Sequence, residues 1–328
     1  MRALVVASPG HVALERLSEP SAGTDNVLVA PIACGLCGTD LELIDGTIDP
    51  AYVRYPLTLG HEWVGRVVGG EQDGLVVVEG IIPCGVCDEC LIGATNRCTT
   101  YDEIGFTRPG AAADLISVPE ALVHRLDPSV SARDAVLVEP MSVVWRALSR
   151  TAIRPASSCL VIGDGTVALL AVHLLQRFSP ASTTVLGLRR AQRDLALAAG
   201  ADEFVTTATA QRYDVVIEAA GHIDAVSTAL KCVARGGAVT LLGLPPHGDV
   251  VPLAPDDLVN DDLTLQGSFG YTRAAWAEVV AHLNAATLHP SFLVTHEYAL
   301  DAYVEALAML RTPPADAARG KVLLLIAD

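Results

Sequence analysis

The feature that most constrains the fold is a regular alternation of strand-like and helix-like segments in the second half of the chain. Alternating strands and helices of this size build a parallel, doubly wound sheet with helices on both faces. The sequence therefore predicts an α/β fold for this half. The segments are strand 159–162, a glycine turn with helix 165–178, strand 183–188, helix 191–199, strands 203–205 and 213–218, helix 224–233 and strand 238–242.

The first third of the chain has a different pattern, which is rich in short strands and turns. Its β-prone runs, separated by glycines, predict a compact barrel-like domain. Residues 292–295 and 321–326 return to the same strand-like pattern, so we expect the end of the chain to rejoin this domain. The runs are 3–7, 27–31, 64–68, 75–78 and 114–118.

Composition limits the classes of function. A chain of 328 residues with 51% hydrophobic residues is suited to two folded domains and argues against disorder. The net charge of −16 disfavours nucleic acids and anionic membranes as partners. No signal peptide is recognisable, and no apolar run approaches the roughly 20 residues that span a bilayer. We therefore expect a cytoplasmic protein whose partner is a small molecule.

Four cysteines lie within fifteen positions, spaced C-x2-C-x2-C-x7-C. Cys84, Cys87, Cys90 and Cys98 can supply four thiolates to one tetrahedral zinc, and such a closed site is structural. Two alternatives are unrelated core cysteines and an iron–sulfur cluster. The spacing differs from the C-x2-C-x2-C-x3-C-P run of bacterial ferredoxins. We predict a structural zinc lobe over residues 84–98.

A second set of candidate ligands comes from separated segments. Cys37, the Gly-His-Glu triplet with His61 and Glu62, and Glu139 can close on one zinc while leaving a position open, the mark of a catalytic site. The sequence thus predicts two zinc ions per chain. An alternative is that Cys34 and Cys37 form a redox C-x-x-C pair, but the expected βαβ start is absent.

A glycine turn opens the first helix of the α/β half. Gly163-Asp164-Gly165-Thr166-Val167-Ala168 reads G-x-G-x-x-A after a strand and before a helix. The glycines permit a tight turn and close approach of a pyrophosphate, which the helix N-terminus then faces. We predict that Gly163, Gly165, Thr166 and Val167 bind a dinucleotide.

The residues after the next strand report the choice of dinucleotide. An NAD enzyme places Asp or Glu there to bind the ribose 2′-hydroxyl, but this sequence has Gly187, followed by Arg189 and Arg190. A small residue leaves room for a 2′-phosphate, and arginine matches phosphate geometry. We predict NADP(H) over NAD(H). The alternative is that the two arginines are a solvated helix start.

These motifs, in this order, resemble the zinc-dependent medium-chain alcohol dehydrogenase superfamily over nearly the whole chain. Glu139-Pro140-Met141-Ser142-Val143 is similar to the Glu-Pro-Leu-Ser-Val run of polyol (sorbitol-type) dehydrogenases, and Gly267-Ser268-Phe269-Gly270-Tyr271 to their Gly-x-Phe-Arg-Tyr run. Cys37-Gly38-Thr39-Asp40-Leu41-Glu42 resembles a segment of microbial glucose dehydrogenases. Two departures are Glu42, where many members have His, and Gly270, where polyol dehydrogenases have Arg.

The resemblance implies an architecture. It implies a GroES-like, β-rich catalytic domain at residues 1–148 and 289–328, which includes the zinc lobe. It also implies a Rossmann dinucleotide-binding domain at residues 149–288, with the substrate in the cleft between the domains. Family members are dimers or tetramers, so we expect a homodimer or homotetramer.

The resemblance also implies roles for individual residues. Cys37 and His61 become zinc ligands, and Glu62 and Glu139 supply the remaining ligand and hold the metal-bound water. Thr39 accepts the alcohol proton, and Asp40 supports His61. Further cofactor-binding residues implied by the resemblance are Ala219, Gly243, Leu244, Ser268 and Phe269.

The function implied is reversible oxidation of a secondary alcohol of a polyol, sugar or cyclitol to a ketone, with NADP or NAD as hydride acceptor. One alternative is a dehydrogenase of the same family that acts on threonine or on a simple secondary alcohol. The other is a catalytically inactive relative with a structural role.

Overall fold

The computed structural model describes residues 1–69, 74–208 and 210–327. Within these residues the chain forms two compact units, and none of the helices is long and apolar enough to cross a membrane. The first unit comprises Met1–Glu139, Thr272–Pro313 and the segment from Lys321 onward, and the second comprises Pro140–Tyr271 and Pro314–Gly320.

Strands form the sheets of the first unit and the central layer of the second. The strands of the described residues are β1 (Arg2–Ser8), β2 (His11–Arg16), β3 (Asn26–Leu36), β4 (Leu57–Thr58), β5 (Glu62–Val67), β6 (Val76–Val78), β7 (Ile116–Pro119), β8 (Val123–Arg125), β9 (Ser158–Ile162), β10 (Ser182–Leu186), β11 (Glu203–Val205), β12 (Tyr213–Glu218), β13 (Val233–Leu241), β14 (Thr264–Gly267), β15 (Val294–Ala299) and β16 (Lys321–Leu325).

Helices alternate with strands in the second unit, and the first unit includes the helices Arg273–Asn284 and Tyr303–Arg311 near the end of the chain. The α-helices of the described residues are α1 (Gly38–Asp45), α2 (Asp88–Leu91), α3 (Ala132–Ala135), α4 (Val138–Arg150), α5 (Thr166–Leu175), α6 (Arg193–Ala199), α7 (Ile223–Cys232), α8 (Pro255–Asn260), α9 (Arg273–Asn284) and α10 (Tyr303–Arg311).

The first unit is built on a mixed sheet with the order β15-β16-β3-β5-β6-β8, and β7 also pairs with β3. The long strand β3 pairs antiparallel with both β5 and β16, so the end of the chain returns to the first sheet. Leu36, Leu43, Trp63 and Leu324 are among the buried residues of its core. This packing fixes the ends of β3, β5 and β16 next to one another.

The second unit contains a six-stranded parallel sheet with the order β11-β10-β9-β12-β13-β14. Numbered within the unit, this order is 3-2-1-4-5-6, that of a doubly wound dinucleotide-binding fold. Strand β9 is almost wholly buried because helices cover both faces of such a sheet, which explains its continuous apolar run. The predicted α/β fold class is confirmed.

Residues 272–288 belong to the first unit, whereas the sequence suggested that the second segment of that domain begins at 289. The physical reason is a buried ionic contact. Arg273 Nε and His124 Nε2 lie 3.1 and 2.8 Å from Glu79 Oε1, and Glu79 is only 1% exposed. Trp276 packs near the His124 ring, with centroids 6.2 Å apart. Helical periodicity alone does not show which sheet a helix covers.

We expect Glu79→Gln to lower the free energy of unfolding of the first unit by about 2 kcal/mol. Removing one member of a buried ionic cluster leaves its partners uncompensated, and the partial exposure of Arg273 reduces the cost below that of a fully buried pair. The matched control is Asp45→Asn, which breaks an exposed ion pair with Arg311 and should cost less than about 1 kcal/mol. Chemical denaturation measures both. An equal loss of unfolding free energy in the two variants would contradict a stabilising role for the contact between Glu79 and Arg273.

Candidate metal centres and nucleotide site

The first candidate site forms where β3 ends and α1 begins. Cys37 is the N-cap of α1: the Thr39 backbone N–H donates to its Sγ at 3.2 Å. In return, the Cys37 backbone N–H donates to Asp40 Oδ2 at 2.8 Å. This reciprocal arrangement is a capping box, which fixes the entry of the chain into the helix. The positions of Cys37 and Thr39 are therefore set by the helix start.

His61 and Glu62 reach the same place from the turn between β4 and β5. Gly60 has a φ of +106°, and a side chain there would lie 2.5 Å from the Ala112 backbone nitrogen. Only glycine combines that conformation with so close an approach. The turn brings donor atoms of Cys37, His61 and Glu62 within 4.8 Å of one another.

Burial and orphaned polar atoms make this donor set suitable for a metal. His61 is 6% exposed and Glu62 is 2% exposed. Asp40 Oδ1 lies 3.6 Å from His61 Nδ1, and both atoms are buried without a hydrogen-bond partner. Sulfur, imidazole nitrogen and carboxylate oxygen are the donors that zinc prefers. With Nδ1 facing Asp40, Nε2 is the ring nitrogen left for a metal, so the residues present fit zinc.

Charges around His61 raise its pKa. Burial alone would lower the pKa of this imidazole, but the charges of Asp40 and Cys37 outweigh burial and raise it well above its usual value. The site is therefore strongly negative. A bound cation would meet a potential that already favours positive charge.

Lys321, which sequence reasoning missed, is part of the same site. It is 2% exposed, its Nζ donates a hydrogen bond to Glu62 Oε2, and it also donates to the Leu36 carbonyl at 3.2 Å. It begins β16, next to the end of β3. The available signal was a single lysine that starts an otherwise apolar strand.

Glu139 lies on the first turn of α4 and is partly buried. Burial, followed by the charge of Glu62, raises the pKa of its carboxyl to about 7. Glu139 interacts with His61 and Lys321 electrostatically, but its oxygens are not within the 4.8 Å set that joins Cys37, His61 and Glu62.

Glu103 is a second residue that the sequence did not single out. It is 9% exposed, and burial followed by the charge of Glu139 raises its pKa to about 8. The ring of Phe106, in the same loop, lies 5.1 Å from that of His61. A protonated Glu103 can both donate and accept hydrogen bonds at neutral pH.

Cys34 does not have the properties of a redox cysteine. It is fully buried, and burial followed by the charge of Asp40 raises the pKa of its thiol well above the usual value. Reactive thiols in C-x-x-C pairs have lowered pKa values and some exposure. The redox alternative for Cys34 and Cys37 therefore has no support.

The four cysteines of the lobe lie around one point. Their sulfurs are all within 4.8 Å of one another, and none forms a disulfide. Backbone N–H groups of Cys84 and Cys87 donate to Cys98 Sγ and Cys84 Sγ at 3.3 and 3.4 Å. Backbone hydrogen bonds lower the pKa of Cys87 to about 6. Four converging sulfurs, of which Cys84 and Cys87 have thiol pKa values lowered by backbone hydrogen bonds, fit a tetrahedral zinc.

The predicted cofactor-binding residues share one location in the second unit. Parallel strands end at the same edge of their sheet, where nucleotides bind in doubly wound folds. All twelve follow the carboxyl ends of β9, β10, β12, β13 and β14 or belong to the first turn of α5. They are Gly163, Gly165, Thr166, Val167, Gly187, Arg189, Arg190, Ala219, Gly243, Leu244, Ser268 and Phe269.

The glycine turn forms a cradle for a dinucleotide. Gly163 has a φ of +120°, and a side chain there would lie 3.0 Å from the Ala219 carbonyl carbon. Gly165 is the N-cap of α5 and faces open space, so backbone N–H groups of the helix start are available to phosphates. Ala168 is fully buried against the sheet. These residues fit a nicotinamide dinucleotide.

Gly187 is tightly packed, Arg189 is paired with a carboxylate, and Arg190 is exposed. A side chain at Gly187 would lie 2.7 Å from both Asp164 Cβ and Phe204 Cζ, so this position excludes the acid of NAD enzymes. Arg189 forms an ion pair with Asp164 at 2.7 Å. Arg190 is exposed. Only the first of the two arginines is held in a defined position.

Comparisons with known proteins agree with this geometry. The family model of the alcohol dehydrogenase GroES-like domain matches residues 23–128. The model of the glucose dehydrogenase C-terminus matches residues 132–312. Together the two models span most of the chain.

Relatives match over nearly their full length. The sorbitol dehydrogenase of Bacillus subtilis strain 168 is 30% identical over 329 residues, covering 94% of this chain and 92% of the relative. An L-threonine 3-dehydrogenase of Legionella pneumophila (strain Philadelphia 1) is 26% identical and covers 99% of both chains.

A solved structure has the same fold. A putative zinc-binding dehydrogenase from Sinorhizobium meliloti 1021, bound to NADP, is 26% identical with a TM-score of 0.90 and covers 99% of both chains. The predicted family is confirmed by the models and the relatives together. The chain belongs to the zinc-dependent medium-chain alcohol dehydrogenase superfamily, and it is an NAD(P)-dependent alcohol dehydrogenase with a GroES-like domain and a Rossmann domain.

Proposed function

We propose that the chain catalyses the reversible oxidation of a secondary alcohol of a polyol, sugar or cyclitol to a ketone. The observation that carries this proposal is the set of half-buried Cys37 and buried His61 and Glu62, which offers three different donor atoms within 4.8 Å. Three protein donors leave one position of a tetrahedral zinc for a ligand from solution. Bound zinc supplies a Lewis acid for the alcohol oxygen, and bound NAD(P) supplies the hydride acceptor.

Glu62 is the carboxylate that we assign as the direct ligand. Its oxygen is in the donor set with Cys37 and His61, whereas Glu139 is outside it. Lys321 donates to Glu62 Oε2, so Oε1 is the oxygen left for the metal. We assign Glu139 to the solvent molecule or substrate that completes the site, because its pKa of about 7 allows it to accept or donate a proton near neutral pH.

Thr39 and Asp40 act through the helix that carries them. The capping box fixes the Thr39 backbone, whose N–H donates to Cys37 Sγ at 3.2 Å. We assign the Thr39 hydroxyl the transfer of the alcohol proton. Asp40 faces His61 Nδ1 at 3.6 Å and selects the ring orientation in which Nε2 faces the metal.

The surrounding carboxyl groups support a hydroxyl-rich substrate. Glu103 and Glu139 have pKa values raised to about 8 and 7, so each can donate or accept a hydrogen bond at neutral pH. Polyols and sugars offer several hydroxyl groups with both capacities, and a hydrocarbon slot would not match them. The 30% identity to a sorbitol dehydrogenase supports the same substrate class.

We propose NADP(H) as the preferred cofactor and zinc in both metal sites, two ions per chain. The absence of an acid at Gly187 removes the usual partner of the NAD ribose, and Arg189, which pairs with Asp164, offers a guanidinium group two residues further on. The NADP-bound structure at 26% identity supports this choice. The four-cysteine lobe offers no further position to a substrate, so we assign its zinc a structural role.

We further propose a cytoplasmic homodimer or homotetramer. Strand β14 is the edge of the six-stranded sheet, and Leu265 on it and Val259 on α8 are exposed. An unpaired strand edge with apolar side chains favours pairing with another chain. The net charge of −16 supports a small-molecule substrate, and we propose neither nucleic acid nor a membrane as a partner.

Substrate class is tested by steady-state kinetics with sorbitol, arabinitol, inositol, threonine and 2-propanol, each with NADP and with NAD. We expect kcat/KM to be at least about tenfold higher for one of the polyols than for threonine or 2-propanol, because only the polyols offer several hydroxyl groups to Glu103 and Glu139. A maximum for threonine or for 2-propanol would overturn the polyol assignment while leaving the dehydrogenase assignment intact. No turnover with any substrate would favour the inactive relative.

We expect Cys37→Ala to reduce the zinc content from two ions to one per chain and to reduce kcat/KM by about a thousandfold or more. Loss of a thiolate ligand removes the metal that stabilises the developing alkoxide charge, worth several kcal/mol. Metal analysis and kinetics measure the two effects. The control is Cys232→Ala, a buried cysteine of the second unit outside both metal groups, which should retain two ions.

We expect Cys90→Ala to lose one zinc ion as Cys37→Ala does, but to lose thermal stability rather than activity. It removes one of four lobe sulfurs, so the protein should lose one zinc and unfold at a lower temperature while retaining activity in the cold. Metal analysis, a thermal melt and an assay at low temperature provide the three readouts. Loss of activity with unchanged zinc content would show that the lobe does not hold a structural ion.

A further inference from the structure

Arg319 lies in the second unit beside the glycine turn, although it is 127 residues from its partner Gln192 in sequence. The Gln192 side chain, which is fully buried, accepts from the Arg319 backbone N–H at 2.7 Å and donates to the Arg319 carbonyl at 2.9 Å. The same amide group donates to the Asp164 carbonyl at 2.6 Å. Gln192 thus fixes the backbone of Arg319 against the turn of the dinucleotide motif.

Arg189 is held at the same place by the Asp164 side chain. Asp164 Oδ1 accepts from Arg189 Nε at 3.1 Å and from Nη2 at 2.7 Å. Asp164 Oδ2 accepts from the backbone N–H groups of Leu188 and Arg189 at 2.9 and 2.8 Å. A carboxylate offers about four acceptor positions, and these four donors use them all. Asp164 therefore has no position left for a ribose hydroxyl.

Two guanidinium donors in this cluster remain unused. Arg189 Nη1 and Arg319 Nε are both buried without a hydrogen-bond partner. The two positive side chains face the single negative charge of Asp164, which leaves an excess of one positive charge. Burial and the charge of Arg189 lower the pKa of Arg319. Buried donors without partners cost free energy, and an excess of positive charge adds to that cost, so the cluster favours binding of an anion.

We propose that Arg319 and Arg189 together bind the 2′-phosphate of NADP(H), and that Asp164 positions Arg189 for this contact. The proposal rests on the NADP(H) preference given above and adds a residue from a distant segment to it. Arg189 follows the end of β10, where doubly wound folds read the adenosine ribose. A phosphate dianion can accept from both guanidinium groups and neutralise the excess charge, whereas a 2′-hydroxyl can do neither.

The test uses two small ligands that differ only in the 2′-phosphate: adenosine 2′,5′-bisphosphate and 5′-AMP. Calorimetry gives the Kd of each for the unmodified enzyme and for Arg319→Met, Arg319→Lys and Arg177→Met. Arg177 is an exposed arginine of the same unit and serves as the control. Thermal melts of the variants show whether each is folded.

We expect the unmodified enzyme and Arg177→Met to bind the bisphosphate more tightly than 5′-AMP. In Arg319→Met the affinity for the bisphosphate should fall about tenfold or more, as expected for loss of a charge-assisted hydrogen bond, with the affinity for 5′-AMP unchanged. Arg319→Lys keeps the charge but lacks the Nε donor, so it should lose part of the difference between the affinities for the bisphosphate and for 5′-AMP. The ratio of kcat/KM with NADP to kcat/KM with NAD should be highest in the unmodified enzyme and Arg177→Met, lower in Arg319→Lys and lowest in Arg319→Met.

Three outcomes would overturn the proposal. An unchanged bisphosphate affinity in Arg319→Met would show that Arg319 does not contact the 2′-phosphate. An equal loss for both ligands, in Arg319→Met or in Arg319→Lys, would place Arg319 at a part of the cofactor that the ligands share. If the unmodified enzyme binds both ligands equally, the NADP preference itself is wrong, while alcohol oxidation with NAD can still be tested separately.

Discussion

The first unit depends on burying many negative groups at one place. Asp40, Glu62, Glu103 and Glu139 surround Cys37 and His61, and Lys321 is the lysine that faces them. Moving ionised groups out of water costs several kcal/mol each unless they are paired. Lys321 offsets part of this cost by its hydrogen bond to Glu62. The rest appears as carboxyl pKa values raised to about 7 and 8, because protonation is the other way to remove the charge.

This balance connects the metal site to the sheet that carries it. Lys321 is the first residue of β16, whose partner β3 ends just before Cys37. Glu62 is the first residue of β5, which pairs with the same strand β3 on its other side. Cys37, Glu62 and Lys321 thus lie at the ends of three adjacent strands. Pairing of β16 with β3 therefore contributes to the site as well as to the core.

The local parts of both sites were predictable from the sequence. The lobe spacing, the Gly-His-Glu triplet and the G-x-G-x-x-A turn each place their ligating or phosphate-facing groups within a few residues, so local geometry decides their arrangement. The parallel sheet was predictable for a similar reason, since the apolar runs of β9 and β12 are continuous.

Contacts between distant segments were not predictable in this way. Lys321 and Arg319 lie near the end of the chain, and nothing in their local pattern shows which buried groups they face. The apolar pattern of helix α9 does not show which unit it joins, whereas Arg273 at its start pairs with Glu79 of the first unit. The crowding at Gly187 is another such feature, because Asp164 and Phe204 fill the space that a side chain there would need. These features depend on tertiary packing, which sequence periodicity does not report.

The two units differ in the sign of the charge that their own residues leave unbalanced. Around Cys37 and His61 the negative groups outnumber Lys321, and the orphaned atoms are Asp40 Oδ1 and His61 Nδ1. Around Asp164 the two arginines outnumber the carboxylate, and the orphaned atoms are guanidinium donors. A folded chain tolerates such imbalance only where a ligand of opposite charge can relieve it, since an unpaired buried charge is costly. The residual charge therefore indicates a cation for the first unit and an anionic cofactor for the second, and each inference stands on residues of one unit alone.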